Sequence, residues 1–402
     1  MNLPLDQPLA TANSAGPVIA LVAGETSGDQ LGGSLIGELA KLYPAARFVG
    51  IGGPHMKAQG LDAWWDSDEL AVMGLAEVLS HLPRLLQLRK ALQNRLLELK
   101  PDVFIGIDAP DFNLGLEKKL KKAGITTAHY VSPSIWAWRQ NRAKTIGKCT
   151  DLVLCLFPFE PALYHAHGVA AQFIGHPMAD EIDSVNLLSE QSEKHTARSE
   201  LGLNPSGPCI AILPGSRQSE VERLGSHLLG AAHNLSVHDP ATQFVAPMAN
   251  KKVRTIFQAA LDHRPGLDCT LVDGQARLTM KAADLVLCAS GTAALEVLLI
   301  NRPMVVVYRL STVTYEIVKN LHLFKSKFFS LPNVLAGEFL VPELVQHQAN
   351  EERITREALA WFDDDKRRES VRSRFSELHF RLRKNAAACA AASIKGLLED
   401  KQ

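Results

Sequence analysis

The chain has 402 residues, of which 46% are hydrophobic and 21% charged, with 43 basic residues against 43 acidic ones. Its length exceeds one ordinary hydrophobic core and calls for two domains, and its composition excludes a disordered chain. The charge balance excludes nucleic acid as a bulk electrostatic partner but leaves room for a local basic face. Residues 1–16 carry Asp6 and neither Lys nor Arg, so they read as a flexible tail rather than a secretory leader. From Pro17 to Gly175 the runs PVIALVA, RFVGIGG, DVFIGID, TTAHYVS, DLVLCLF and AQFIG alternate with helical patterns, which predicts a parallel sheet wrapped by helices over 17–185. Residues 186–208 turn polar and are expected to be a linker. The alternation restarts with CIAILPG, QFVAPMA, CTLVDG, DLVLCAS and PMVVVY, predicting a second sheet over 209–349. Residues 350–402 read as charged helices that pack back on the first domain.

This is an α/β pattern of two Rossmann-like domains whose sheets face a central cleft, with ligands expected beyond the carboxyl ends of the strands. The longest apolar stretch, Ala282 to Ile300, is interrupted by Asp284, Gly291 and Glu296, so it is no spanning helix of about 20 apolar residues. Cys149, Cys155, Cys209, Cys269, Cys288 and Cys389 form no CxxC pair and read as reduced core thiols.

The chemistry is expected in the βα loops. The first strand ends in Gly24-Glu25-Thr26-Ser27-Gly28-Asp29, where two carboxylates and two hydroxyls precede a helix. Ser27 or Asp29 can cap that helix. Capping leaves Glu25 unexplained, so Glu25, Ser27 and Asp29 are candidates to bind a polar ligand, though not a dinucleotide, since GxGxxG spacing is absent. Asp108 follows the apolar run DVFI and is the candidate general base, because an alcohol is a poor nucleophile until it loses its proton. Asp111 fits a helix cap better. In the second domain Gly215, Ser216 and Arg217 close one strand and open a helix, and Ser290, Gly291, Thr292 and Ala293 repeat that arrangement. Free N–H groups at a helix start, with a fixed guanidinium alongside, suit a diphosphate. Glu296, one turn on, can accept both hydroxyls of a ribose or can be a solvated helix carboxylate.

Asp66-Ser67-Asp68 and Asp363-Asp364-Asp365 match a DxD string but lie beside helices, and the 14 histidines lack HxH or HExxH spacing, so neither metal nor cofactor is expected. Leu75, Val78, Leu79, Leu82, Leu85 and Leu86 recur at helical spacing beside Arg84, Arg89 and Lys90, which suits either an anionic membrane surface or a core face. Pro83 can split that run. Trp136, Trp138 and Arg139 either wall an acyl or sugar site or pack on the sheet.

The strings LVAGETSGD, GIDAPDFN, HYVSPSIWAWRQ, FIGHPMAD, ILPGSR, ASGTAALE and SLPN resemble the lipid-A-disaccharide synthase family over roughly residues 17–385. The resemblance implies an inverting, metal-independent glycosyltransferase of the GT-B type, with UDP held by the C-terminal domain. It implies UDP-2,3-diacylglucosamine as donor and 2,3-diacylglucosamine 1-phosphate as acceptor, at the cytosolic face of the inner membrane, with a homodimer left open. It implies Asp108 near the acceptor hydroxyl, Arg217, Thr292, Ala293 and Glu296 at the nucleotide, and Asn333 of SLPN beside the cleft. His176, of FIGHPMAD, joins the acceptor-side candidates. A UDP-N-acetylglucosamine 2-epimerase and a nucleotide-responsive membrane adaptor remain rival readings.

Overall fold

In a parallel sheet covered on both faces a central strand can be apolar along its whole length. The strand Val18–Ala23 (β1) is such a run, and only its first residue is partly exposed. The computed structural model describes residues 16–70, 75–136, 142–184, 190–311 and 327–400, and of residues 75–81 the backbone alone. Residues 1–15 and the side chains of Leu75, Val78, Leu79, Trp138 and Arg139 therefore lie outside the described residues.

The first sheet continues with Arg47–Gly52 (β2), Leu61–Asp66 (β3), Val103–Ile107 (β4), Thr126–Tyr130 (β5), Leu152–Cys155 (β6) and Ala171–Phe173 (β7). Its order is β3-β2-β1-β4-β5-β6-β7, and every pairing is parallel. The intervening helices are Thr26–Leu42 (α1), Pro54–Ala58 (α2), Leu75–Leu99 (α3), Pro110–Lys122 (α4), Arg142–Gly147 (α5) and Glu160–His165 (α6). Alternate residues of β1 and β4 face opposite ways, as the two-residue strand period requires. Ile19, Leu21, Ile105 and Ile107 meet Leu35, Ile36 and Leu39 of α1 together with Ala390, Ala391 and Ile394 of the helix Ala386–Glu399. Ala20, Val22 and Phe104 meet Leu88, Leu92 and Leu96, one stripe of α3 at a spacing of about one turn.

The second sheet contains Cys209–Leu213 (β8), Gln243–Met248 (β9), Thr270–Asp273 (β10), Leu285–Ala289 (β11), Met304–Tyr308 (β12) and Glu343–Val345 (β13). Its order is β10-β9-β8-β11-β12-β13, again parallel throughout. Its helices include Pro177–Glu181 (α7), Glu190–Glu200 (α8), Gln218–His238 (α9), Lys251–Asp262 (α10), Ala276–Ala282 (α11) and Thr292–Leu299 (α12). No helix among the described residues is long and apolar enough to cross a membrane.

The chain forms two units, one of residues 1–177 with 383–402 and the other of residues 178–382. This division differs from the expected boundaries in two places. The polar segment 186–208, expected as a linker, carries α8, and its Arg198 is buried at 3% exposure inside the second unit. Arg198 donates to the carbonyls of Ala282, Pro205 and Gly207 and to Asp284 Oδ2 at 2.7 Å. A polar stretch passes for a linker when its one buried cation finds its partners far along the chain. Of the C-terminal helices, Glu351–Phe362 and Asp365–Leu382 belong to the second unit, where Trp361 is buried and donates to the carbonyl of Met304. The helix Ala386–Glu399 packs on α1 as expected.

Arg198→Ala is expected to destabilise the second unit by about 3 kcal/mol, because it removes one of the two cations on Asp284 and the donor to the carbonyls of Ala282, Pro205 and Gly207. Burial raises the Asp284 carboxyl, but Lys194 and Arg198 more than offset it, leaving it below its usual range. Its stabilising contribution is present above about pH 4 and is lost as pH falls through the lower folded value. Urea midpoints of parent and variant that converge on acidification, and differ at neutral pH, are the expected result.

Candidate active site

In the first sheet the strand order reverses between β1 and β4, so the loops that follow those strands leave in opposite directions and open a crevice there. Both loops that the sequence singles out flank this point. Glu25 is the N-cap of α1, in extended conformation and without a capping side-chain bond, and Glu25, Thr26 and Ser27 are all exposed. A Cβ placed on Gly24 would lie 3.5 Å from that of Ala109, so the two loops touch.

Asp29 is a correction to the expected ligand loop. It is buried at 2% exposure, and its carboxylate accepts from the amides of Gly53, His55 and Met56 at 2.7, 2.9 and 3.1 Å. It therefore caps the start of α2 rather than its own helix, satisfying donors that the short helix cannot satisfy internally.

Asp108 lies immediately beyond β4, half-buried, with φ +49°, and Ala109 follows at φ +42°. Two consecutive non-glycine residues in the left-handed region are a strained arrangement that neighbouring structure must hold in place. The Asp108 amide donates to the Tyr130 carbonyl at 2.8 Å, and the Asn113 side-chain amide donates to the Asp108 carbonyl at 2.9 Å. Both contacts use the backbone and so fix the turn without engaging the carboxylate. Asp111 falls in the first turn of α4, the place where a carboxylate suits the helix dipole.

Four rings line up beyond the carboxyl ends of β5, β6 and β7. Trp136 meets Phe159 edge-on at 5.8 Å, Phe159 stacks on Phe157 at 5.7 Å, and Phe157 lies 5.4 Å from His176. Phe157 and Phe159 escaped the sequence analysis because nothing local separates a loop phenylalanine from a core one. Beneath them Glu160 is buried at 2% exposure and accepts from the Phe157 amide at 3.0 Å. Burial pushes its carboxyl up to about 7, against hydrogen bonds from the Phe157 amide and the Ser132 hydroxyl.

The second sheet reverses between β8 and β11, and the loops after those strands share one cavity of about 350 Å³. Gly215, Ser216, Arg217, Ser290, Gly291, Thr292, Ala293 and Glu296 all line it, together with Pro247, Met248, Ala249 and Gly274 from the neighbouring strand ends. Gly215 has φ +112°, and a Cβ there would come within 2.5 Å of Glu220 Oε2, so a side chain is excluded on both counts. The cavity faces the amino ends of α9 and α12, which supply partial positive charge, although the Arg217 amide is taken by Glu220 Oε2 at 3.3 Å. The Arg217 side chain is 81% exposed and stands 3.5 Å from Glu220, so its guanidinium is loosely held. The assembly can bind an anionic group and a polyhydroxyl group side by side.

Glu296 and Asn333 are both engaged by neighbouring groups. Glu296 is no solvated carboxylate: Arg277 Nε donates to it at 2.6 Å, and the same guanidinium reaches Glu181 at 3.0 Å. Arg277 carries no local sequence signal. Asn333 is fully buried; it donates to the Val341 carbonyl and Glu343 and accepts from the amides of Leu340 and Val341. All of this contributes to the fold, and Asn333 does not line the cavity. Among the described residues no cluster of His, Cys, Asp or Glu has metal-ligand geometry. Asp66 is engaged with Lys57 and with the amide of Asp68.

Two units, each a parallel α/β sheet with its candidate residues at the strand-order reversal, make the two-Rossmann-domain architecture of the GT-B type. Calicheamicin glycosyltransferase CalG4 matches at TM-score 0.57 and 16% identity, covering 96% of this chain and 99% of that one. The Neisseria meningitidis UDP-GlcNAc 2-epimerase, solved bound to UDP-GlcNAc, matches at TM-score 0.57 and 14% identity, covering 95% and 99%. The family model for lipid-A-disaccharide synthetase matches residues 19–394. The lipid-A-disaccharide synthase of Xanthomonas campestris pv. campestris (strain 8004) is 50% identical over 397 residues, 98% of this chain and 89% of that protein. That of Xylella fastidiosa (strain M12) is 49% identical over 387 residues, 96% and 99% of the two chains. The chain belongs to the lipid-A-disaccharide synthase family, and it is a glycosyltransferase of lipid A synthesis.

Removing the Asp29 carboxylate leaves two buried amides and one part-buried amide without an acceptor, so Asp29→Ala is expected to destabilise the first unit by about 3 kcal/mol, read by chemical denaturation. A nucleotide affinity that fell while stability held would return Asp29 to the ligand loop. For Glu160, a raised folded value means stability that is full below the ordinary carboxylate range and is lost as pH rises through about 7. Glu160→Gln is therefore expected to narrow the stability difference between pH 5.5 and pH 8 by about 2 kcal/mol. An unchanged pH profile would mean that Glu160 is ionised without penalty in the fold.

Proposed function

We propose that the cavity of the second unit holds the UDP portion of UDP-2,3-diacylglucosamine, and that Asp108 is the general base for attack by the 6-hydroxyl of 2,3-diacylglucosamine 1-phosphate. The observation that carries this reading is the convergence of two helix-opening loops, separated by most of a domain in sequence, on one cavity. Their amides and Arg217 suit a diphosphate, and Glu296, oriented by Arg277, suits the ribose hydroxyls.

The reaction is a single displacement. The acceptor oxygen forms its bond to the donor anomeric carbon as the bond from that carbon to the UDP oxygen breaks. The proton passes to Asp108 and the electron pair leaves with UDP. Attack from the face opposite the leaving group inverts the configuration and gives the β-1,6-linked disaccharide 1-phosphate. Developing charge on the diphosphate is met by fixed N–H dipoles and Arg217, so no metal or cofactor enters the reading.

Both substrates carry acyl chains, which places the reaction at a membrane surface, in this reading the cytosolic face of the inner membrane. Leu82 and Leu86 of α3 are 42% and 45% exposed, Leu85 is half-buried, and Arg84 and Lys90 are exposed close by. An apolar strip with flanking cations suits anionic lipid. The ring series at Trp136 and His176 is the proposed wall for acceptor or acyl chain, with Glu25 and Ser27 on the opposite loop. A homodimer is compatible with this reading and is not required by it.

The test is UDP release by the purified protein given the donor lipid, with and without the acceptor lipid, followed by mass analysis of the product. Disaccharide formed only with both lipids is the expected result, whereas equal release without acceptor would mean hydrolysis. Asp108→Asn is expected to lower kcat by about 10³-fold with UDP affinity within about twofold. Arg217→Ala is expected to weaken UDP binding about tenfold, the loss of roughly one charge-assisted contact. Parental turnover in Asp108→Asn would remove that residue from the mechanism.

A further inference from the structure

Asn113 and Glu117 lie one turn apart on α4, and His129 lies on β5; all three are 0% exposed. They converge on Gly106 of β4, which pairs directly with His129 across the sheet. A Cβ on Gly106 would stand 2.2 Å from Glu117 Oε1 and 2.8 Å from Asn113 Cβ, so the missing side chain is the space these polar groups occupy. Glu117 Oε1 and His129 Nδ1 are bonded at 2.7 Å, which ties α4 to β5 through the layer where Gly106 runs.

The same helix and strand grip the turn that carries Asp108. From α4, the Asn113 side-chain amide donates to the carbonyls of Asp108, Ile107 and Val22 at 2.9, 3.3 and 3.4 Å. From β5, the carbonyl of Tyr130, next to His129, accepts from the Asp108 amide at 2.8 Å. The left-handed pair Asp108–Ala109 is thus held by two elements that the Glu117–His129 bond locks together. Packing alone does not explain the choice of residues. Glu117 Oε2, His129 Nε2 and Asn113 Oδ1 are buried without a partner, and an apolar triad would fill this layer without that penalty.

We infer that Asn113, Glu117 and His129 are positioning residues for glycosyl transfer, with the buried Glu117–His129 bond fixing α4 against β5 so that Asn113 and Tyr130 hold Asp108 in one geometry. This rests on the reading of Asp108 as the base. Loosening the grip displaces the carboxylate from the acceptor hydroxyl, and a displacement of about 1 Å costs roughly 10²-fold in rate. The nucleotide cavity draws no residue from these elements, so donor binding is spared.

The test compares kcat, KM for the donor lipid, UDP affinity and the unfolding midpoint across variants. Glu117→Ala is expected to lower kcat about 10- to 100-fold per folded enzyme, with KM and UDP affinity within about twofold. Glu117→Gln, which keeps an acceptor toward His129, is expected to recover most of that loss. The double variant Glu117→Leu/His129→Phe replaces the pair by apolar groups and is expected to be at least as stable as the parent, yet to show the same deficit in kcat. In an Asp108→Asn background, Glu117→Ala is expected to cost nothing further. Parental kcat in the apolar double variant would make the pair a packing element and overturn the inference, as would an undiminished Glu117→Ala penalty in the Asp108→Asn background. Parental turnover in Asp108→Asn alone would instead sink the base assignment.

Discussion

A parallel sheet whose strand order reverses once must send two adjacent βα loops apart at that point, and each sheet of this chain does so beside its first strand, at β1/β4 and at β8/β11. The strands β4 and β8 are buried and apolar along their whole length because helices cover both faces, so their own positions offer no polar group to a ligand. Functional groups are thereby displaced to the strand ends, and the reversal selects which ends have open space. Asp108 and the Glu25 loop stand at one reversal, and Gly215–Arg217 with Ser290–Ala293 stand at the other. Rigid elements anchor all four loops, which is what a site needs if its groups are to be aimed before substrate arrives.

Holding loops at such a point requires polar groups inside. Asp29 clamps three amides at the start of α2, Asn113 spans three carbonyls around the Asp108 turn, and Glu343 accepts from the amides of Phe329 and Ser330 as well as from Asn333. Each case is a side chain satisfying backbone groups that no helix or strand ladder reaches, with Asp29 and Asn113 buried and Glu343 half-buried. Of these residues, Asp29 and Asn333 look functional in sequence because they are polar and lie in or beside the loops. Their contribution is to loop geometry, one step removed from the ligand.

That distinction marks how far the sequence could be read. The alternation of β-branched runs and helical patterns was enough for two parallel sheets, because burial on both faces writes itself directly into composition. The two glycine-bearing loops of the second unit and Asp108 could be singled out as candidates because glycine, hydroxyl and charge gather immediately after an apolar run. The partners of Asp29, Asn333 and Arg198 were not legible for a common reason: they lie far along the chain or on backbone atoms, and neither leaves a local pattern. Glu296 was legible as a candidate, but its anchor Arg277 was not, since an ion pair across two helices has no spacing rule. The linker error has the same origin, for the polarity of 186–208 is that of a helix whose buried cation is neutralised elsewhere in the fold.

Fold and family carry different weight for the chemistry. A neighbour at 14% identity is an epimerase and one at 16% is a glycosyltransferase, so the shared architecture does not choose between carbon epimerisation and transfer to an alcohol. Identity near 50% across almost the whole length of synthases does choose. On the proposed reading the structure then supplies a physical reason for the choice. A single displacement needs one base and one place for the leaving diphosphate, and no enzyme nucleophile. The first unit offers a carboxylate on a turn that its neighbours over-determine, and the second offers a cavity facing two helix starts. Each unit therefore carries one half of the reaction on its own scaffold. For that reason the strained Asp108 turn and its buried supports can be altered without touching the nucleotide cavity, and a loss at one half can be told from a loss at the other.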